Sequence, residues 1–431
     1  MVTRGVDVAE VWLWGHQIGA VLWSPNDDLG TFEYTSEFQG SGVQLAPLTM
    51  PLGPQLYRFP ELDRATFHGL PGMLADSLPD RWGNQLIDTW LAETARSRDS
   101  FSPVERLCYI GSRGMGGLEY RPALGRDTRD VAVDVQHLAD LAARVLSSHE
   151  GVQADLTDAG MEELLRVGTS AGGARAKALI GWNRHTAEVR SGQADLPEGF
   201  THWILKFDGV GSSDRDMRDP QGFGRVEYAY HHMARDSGLN VPEAHLHVDG
   251  SGRAHFMTRR FDRSDSGEKL HTQTLTAIAH YDFNKAGAYS YEDAMSVIGR
   301  IGAPQSDVAE LFRRAVFNVV GRIQDDHTKN ISFTMDKAGA WRLAPAYDVI
   351  WAYNPSGLWT NRHQMTIGGK RDEFTRHDLE QLGRRFGIRD PARTIARTVE
   401  VVSRWTDYAA EYDVPAPLTG VIAPTLRLDL L

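Results

Sequence analysis

The chain has 431 residues, 41% of them hydrophobic and 24% charged, with a formal net charge of −11. That is the make-up of an ordinary globular protein with room for two or three domains, and it argues against binding DNA through the overall field, leaving only a local basic patch or a DNA-binding partner. The one cysteine, Cys108, excludes an intramolecular disulfide. Asp7 and Glu10 interrupt any N-terminal apolar run, and no stretch approaches the roughly 18 apolar residues of a membrane span. A reducing cytoplasm is the expected compartment, with no membrane partner.

Val11 to Trp14 and Ile18 to Trp23 flank Gly15-His16-Gln17 and read as a hairpin with Trp12, Trp14 and Trp23 in its core. Phe32 to Tyr34 and the proline-punctuated run from Val43 to Leu52 continue a small β region. Trp82, Leu86, Ile87, Trp90 and Leu91 recur near helical spacing after Leu78-Pro79-Asp80. Gly111 to Gly117 is a glycine loop. Polar residues from Arg121 to Val133 suggest a boundary, and a helix capped by Asp134 follows. Strand-like segments Ala178 to Trp182 and Trp203 to Phe207 are each followed by a polar loop. A helix over Val226 to Asp236 ends at Ser237-Gly238. Two alternating strands, Ala244 to Val248 and Ala254 to Phe261, complete this region. Beyond them the chain reads as largely helical, apart from Ile331 to Met335 and Trp341 to Ala346. The implied units are residues 1–125, 126–265 and 266–431.

The most informative stretch is Gln324-Asp325-Asp326-His327-Thr328-Lys329-Asn330, followed by Tyr347-Asp348. A carboxylate, an Asn five residues on and a second carboxylate beyond a strand are what phosphoryl transfer needs. One Asp orients the attacking hydroxyl, and an Asn and another Asp hold magnesium. Solvated loop charge is the plain alternative for these residues taken alone. No His or Cys spacing supports zinc. Lys206 ends a strand and Glu227 lies at the start of the next helix, the arrangement in which a lysine grips phosphates and a glutamate steadies it.

Gly168-Thr169-Ser170-Ala171-Gly172-Gly173 can cradle phosphates with backbone N–H groups, but it lacks the Gly-Lys-Ser/Thr of a Walker loop. It also matches Gly-x-Ser-x-Gly, the nucleophile elbow of serine hydrolases, which requires a buried strand before it and a helix after it. The preceding Leu164 to Val167 is short and more helix-like. A loop without chemistry is the third reading.

Together these pieces resemble the HipA family of bacterial serine/threonine kinases, toxins of type II toxin–antitoxin modules. The resemblance rests on Leu78-Pro79-Asp80-Arg81-Trp82-Gly83, Ser170 to Lys177 as Ser-x-x-Gly-x-x-x-Lys, Leu239 to Pro242, Arg260-Phe261-Asp262-Arg263, Asp325-x-His327-x-Lys329-Asn330 and Tyr347-Asp348. It implies an α+β fold: a two-lobed kinase-like body with a mainly helical C-terminal lobe and an N-terminal β-rich subdomain. It further implies ATP and Mg²⁺ as cofactors and a protein substrate such as an aminoacyl-tRNA synthetase. A small helix-turn-helix antitoxin of the HipB kind is the implied partner, and DNA contact would come only through it. By resemblance Asp325 is the catalytic base, and Asn330 and Asp348 are magnesium ligands. Ser170 is both part of the phosphate loop and the site of autophosphorylation. Gly172, Gly173, Lys177, Lys206, His327 and Lys329 join the nucleotide site, Arg259 to Phe261 meet the adenine, and Asp262 lies near the ribose. The chain departs from the family in carrying Asp326 where Gly often follows the base, Arg175 and Ala176 where Gln and Glu are frequent, and Arg259 where Glu is common. Two other classes remain open: a hydrolase using Ser170, and an ATP-binding pseudokinase.

Overall fold

The structure is a computed structural model that describes residues 5–93, 100–124, 132–148, 164–165, 167–168, 175–193, 195–210 and 220–430. Strands β1 (Val8–Leu13), β2 (His16–Ser24), β3 (Leu29–Tyr34) and β4 (Leu118–Arg121) form an antiparallel sheet in the order β3-β2-β1-β4. Alternation places Ala9, Val11 and Leu13 on the buried face of β1. The β1–β2 turn is Trp14-Gly15, both with positive φ (49° and 84°), the handedness that matches the twist of a hairpin.

Two expectations for this region fail. Of the three hairpin tryptophans only Trp23 is buried. Trp12 lies 3.8 Å from the Arg121 guanidinium, and Trp14 Nε1 donates to Lys269 O at 2.7 Å. Residues Val43 to Leu52 form turns with a single bridge, Ala46 to Met50, because the prolines remove ladder donors.

A five-stranded antiparallel sheet follows: β5 (Lys177–Trp182), β6 (Val189–Ser191), β7 (Thr201–Lys206), β8 (Ala244–Val248) and β9 (Ala254–Arg259), in the order β6-β5-β7-β9-β8. Every residue of β5 is buried, as expected of a strand covered on both faces. One covering layer contains the helix Val135–Ser148, whose Leu138, Leu141, Ala142 and Val145 are buried. The helix Arg81–Glu93 joins the same core through Trp82 and Leu86, and Trp82 Nε1 donates to Lys177 O at 2.9 Å. A segment adjacent in sequence to the first sheet is thus packed against the second. β6 lies inside what reads as a polar loop; its three residues are too few for periodicity to register.

The helix Phe223–Asp236 starts three residues earlier than its apolar pattern indicates. The carboxylate of Asp208, two residues beyond β7, accepts from Gly222 N and Gly224 N at 2.9 Å each. This remote cap ties the helix start to the end of β7. A third sheet, β10 (His271–Thr274), β11 (Ser332–Met335) and β12 (Trp341–Leu343), sits among helices. β10 is a further strand within a region that reads as helical. Helix Gln305–Val320 buries Leu311, Ala315, Val316, Val319 and Val320 completely, and so delivers the segment after it to a fixed place.

Candidate active site

A cleft of about 730 Å³ is lined by β7, β9 and Glu227 on one side and by residues 325–330 and 346–352 on the other. Ile204, Phe256, Phe261 and Tyr347 give it apolar walls, and the Phe261 and Tyr347 rings stack at 5.7 Å between centroids.

Lys206 joins the two sides. Its ammonium donates to Glu227 Oε1 and to Asp348 Oδ1, and Glu227 also receives Arg175 Nη1 at 2.9 Å. The register of β5 on β7 places Lys177 directly opposite Lys206. Burial alone would lower the Lys206 ammonium, but Asp348 and Glu227 overcome it and hold the group above its ordinary value. For Lys177 burial dominates and takes it down to about 8, with Asp348 pulling up and Lys206 pushing down. Desolvation would raise the carboxyl of Asp348, yet Lys206 and Lys177 keep it well below the usual range, as a carboxylate at any ordinary pH.

Residues 325–330 leave the Gln305–Val320 helix through Gly321 and Arg322 and close in one 3-10 turn, Thr328–Asn330. Asn330 N donates to His327 O at 2.9 Å and Asn330 Nδ2 to Asp325 O at 2.8 Å. Tyr347 OH donates to Lys329 O at 2.5 Å. Asp325 presents its side chain to the cleft, where Oδ1 accepts from Trp359 Nε1 at 2.5 Å and lies 3.8 Å from His327 Nε2. Asp326 points the other way. It is buried, accepting from Tyr291 OH (2.8 Å) and Gln364 N (2.7 Å) and pairing with His363 Nδ1 (2.8 Å). Burial would raise its carboxyl, but these partners lower it. Asp326, the departure that sequence left without a role, is therefore a structural anchor.

Asp348 has a left-handed backbone (φ 52°), a conformation Asp tolerates better than bulkier residues. Its carboxylate oxygens and the side-chain oxygen of Asn330, whose amide nitrogen is committed to Asp325 O, are hard oxygen donors. That donor set fits magnesium, and the two buried lysines fit phosphate.

Of the residues singled out from sequence, Lys177, Lys206, Arg259, Phe261, Asp325, His327, Lys329, Asn330 and Asp348 all line this cleft. Ser170, Gly172 and Gly173 lie outside the described residues. Asp262 is a correction. It is fully buried, held by Arg260 Nη2 (2.7 Å), Arg263 Nη1 (2.8 Å) and Gly116 N (2.7 Å), and it does not line the cleft. An uncompensated buried carboxylate is too costly to leave free, so it serves as the knot between the glycine loop and the end of β9. Arg259 turns its guanidinium to Asp265. The residues before Ser170 that are described, Leu164, Leu165, Val167 and Gly168, are helical. That removes the strand a nucleophile elbow requires.

Sequence reasoning missed Asp80, Phe283 and Trp359. Asp80 lines the cleft and pairs with Lys329. Its signal was the Leu78-Pro79-Asp80-Arg81 motif, noted without a role. Trp359 is separated from Asp325 by 34 residues, and no spacing could have joined them.

Residues 9–121 match the HipA N-terminal domain, and residues 169–405, over half of the chain, match the HipA-like C-terminal domain. The chain belongs to the HipA family. Its fold is similar to that of a chain from a Shewanella oneidensis complex of HipA, HipB and operator DNA. The TM-score is 0.61 at 18% identity, over 94% of this chain and 90% of that one. The fold is the α+β, two-lobed kinase-like body with an N-terminal β-rich subdomain. Two Sinorhizobium fredii proteins whose names class them provisionally as kinases, Y4mE and Y4dM, are 28% identical over 127 residues and 29% over 161. Those matches cover 27% and 34% of this chain, and the chain spans only 30% and 37% of those relatives' lengths. Among the described residues no helix is long and apolar enough to cross a membrane.

Proposed function

We propose that this HipA family member is an ATP- and magnesium-dependent protein serine/threonine kinase, and the toxin of a toxin–antitoxin pair. The observation that carries the reading is Lys206 held between Glu227 and Asp348, across one cleft from Asp325 and Asn330. Lys206 and Lys177 bind the phosphates, and Phe261 and Tyr347 flank the base. Asp348 and Asn330 would hold magnesium, which would supply neutralisation of the phosphate charge there. Asp325 orients the acceptor hydroxyl and takes its proton as the O–P bond forms. The protein's contribution is positioning and charge stabilisation, with little covalent chemistry.

The acceptor we propose is a protein of the translation machinery, such as an aminoacyl-tRNA synthetase, together with Ser170 of the chain itself. A HipB-like helix-turn-helix antitoxin is the proposed partner, with DNA contacted only through it, in the cytoplasm. The Shewanella complex, which contains HipA, HipB and operator DNA, supports this arrangement.

Labelled ATP tests the reading. The wild-type chain should transfer phosphate to itself or to a lysate protein only with magnesium, and Asp325→Asn should not. Equal transfer by Asp325→Asn sinks the assignment, and ATP binding without transfer by the wild type makes the chain a pseudokinase.

A further inference from the structure

The catalytic loop carries two adjacent carboxylates, and one short segment holds both. Trp359 Nε1 donates to Asp325 Oδ1 at 2.5 Å. Five residues on, Gln364 N donates to Asp326 Oδ1 at 2.7 Å, and His363 meets Asp326 Oδ2 at 2.8 Å. The segment closes on itself, because Gln364 Nε2 donates to Trp359 O at 2.5 Å and to Arg362 O at 3.0 Å. Asp326, His363 and Gln364 are buried, so the far end of the segment is fixed to the core. Trp359 is only half-buried and reaches into the cleft beside Thr360.

We infer that Trp359 is a positioning residue for the phosphoryl-transfer step, acting through Asp325. The inference rests on the kinase reading above. The Asp325 side chain is 46% exposed, so its aim depends on the groups that bond it, and the Trp359 indole is one of them. An indole N–H on Oδ1 holds the carboxylate plane, and Oδ2 is the oxygen assigned to the acceptor hydroxyl. In the transfer the hydroxyl O–H bond breaks and its proton goes to Oδ2. The new O–P bond forms, and the bond to the leaving ADP oxygen breaks with its electron pair. A donor on Oδ1 weakens the base slightly. In a loose, metaphosphate-like transition state the nucleophile's proton leaves late, so orientation matters more than basicity. Packing supports the indole: its ring centroid lies 6.3 Å from that of His327, which lies 5.4 Å from Phe283. This aromatic group frames the acceptor side of the cleft.

Two measurements on the full chain test this. In protein labelled with ¹⁵N-tryptophan, the indole resonance lost in Trp359→Phe should move upfield in Asp325→Ala, which removes its acceptor. If it does not move, the contact is absent and the inference is overturned. In self-phosphorylation from labelled ATP, Trp359→Phe keeps an aromatic ring but removes the donor. It should lower the maximal rate about 10- to 100-fold, the cost of a misplaced catalytic group, with the half-saturating ATP concentration unchanged. An unchanged rate, or a parallel loss of ATP affinity, overturns it. If the wild type transfers no phosphate, the kinase reading falls and this role falls with it. If the wild type is active and Trp359→Phe is equally so, only the present inference falls.

Discussion

Asp325 and Asp326 are neighbours in the chain and face opposite ways, one into the cleft and the other into the core beneath it. One loop thus supplies both a cleft-facing carboxylate and its own buried anchor. Substitutions should separate the two roles. Asp325→Asn should fold as the wild type does and lose transfer about 1,000-fold or more, since the orienting base is gone. Asp326→Ala should be destabilised by about 3–5 kcal/mol, because it strands a buried histidine, a tyrosine hydroxyl and a backbone N–H at once. Urea unfolding followed by fluorescence reads the second, and labelled ATP reads the first. A stable Asp326→Ala with full loss of transfer would make Asp326 the base instead.

Lys206 is the next separable element. Substituting Lys206→Met leaves Glu227 with Arg175 and leaves Asp348 with the field of Lys177 and, more weakly, Arg175. The expected cost is about 3–5 kcal/mol for breaking a buried pair, with ATP affinity lost in calorimetric titration. The linkage has a definite sign. Asp348 is depressed in the folded state, so its contribution is complete above its ordinary value of 3.8 and is lost as pH falls through the lower folded value. Lys206→Met removes the largest source of that depression, so the difference in stability between the two proteins should shrink as pH falls below about 4. A difference that stays constant to pH 2 would argue that Lys206 and Asp348 are not paired.

Lys177 gives the opposite kind of pH dependence. Its folded value is about 8, below the ordinary 10.5. At pH 7 it is protonated in both states, and above about 11 it is neutral in both. Between those limits the unfolded chain keeps a proton that the folded chain has shed, so stability gained from this group rises with pH. The wild type should therefore gain on Lys177→Met from pH 8 to pH 10, as read by denaturant midpoints. A flat difference would mean that Lys177 is not depressed in the folded chain.

Much of the cleft was legible in the sequence because its groups come in short, ordered motifs: Asp325 with Asn330, Lys206 with Glu227, Tyr347 with Asp348. Spacing along one loop or one strand–helix unit carries that information. It does not carry contacts between distant segments. The Trp359–Asp325 bond and the Lys329–Asp80 pair join residues 34 and 249 positions apart, and nothing local marks them. Asp262 shows the converse. Its place in Arg260-Phe261-Asp262-Arg263 suggested a ligand contact, yet the flanking arginines are its partners, and a carboxylate between two buried guanidiniums is satisfied without any ligand. The helix Arg81–Glu93 was recognised from its period, but which core it enters is decided by Trp82 finding Lys177 O.

The Asp80–Lys329 pair leads to the last prediction. Lys329 sits between Asp325 and Asn330, the proposed base and magnesium ligand, at a place where a lysine can meet the transferred phosphate. Burial would lower its ammonium, but Asp80 and Asp76 raise it, so it stays charged. Both carboxylates line the cleft and come from the segment before the helix Arg81–Glu93, so that segment sets the charge around Lys329. Removing the pairing carboxylate in Asp80→Ala leaves the Lys329 charge for the nucleotide and takes one negative charge from the cleft. ATP should bind about fivefold tighter at low salt, equivalent to about 1 kcal/mol for such an ion pair, and the gain should fade as salt screens it. Lys329→Met should bind ATP more weakly than the wild type, and adding Asp80→Ala to it should recover less than Asp80→Ala gains alone. Titration of the four proteins with ATP decides it. Weaker binding by Asp80→Ala at every salt concentration would show that Asp80 aims Lys329 at the phosphate and does not compete for it.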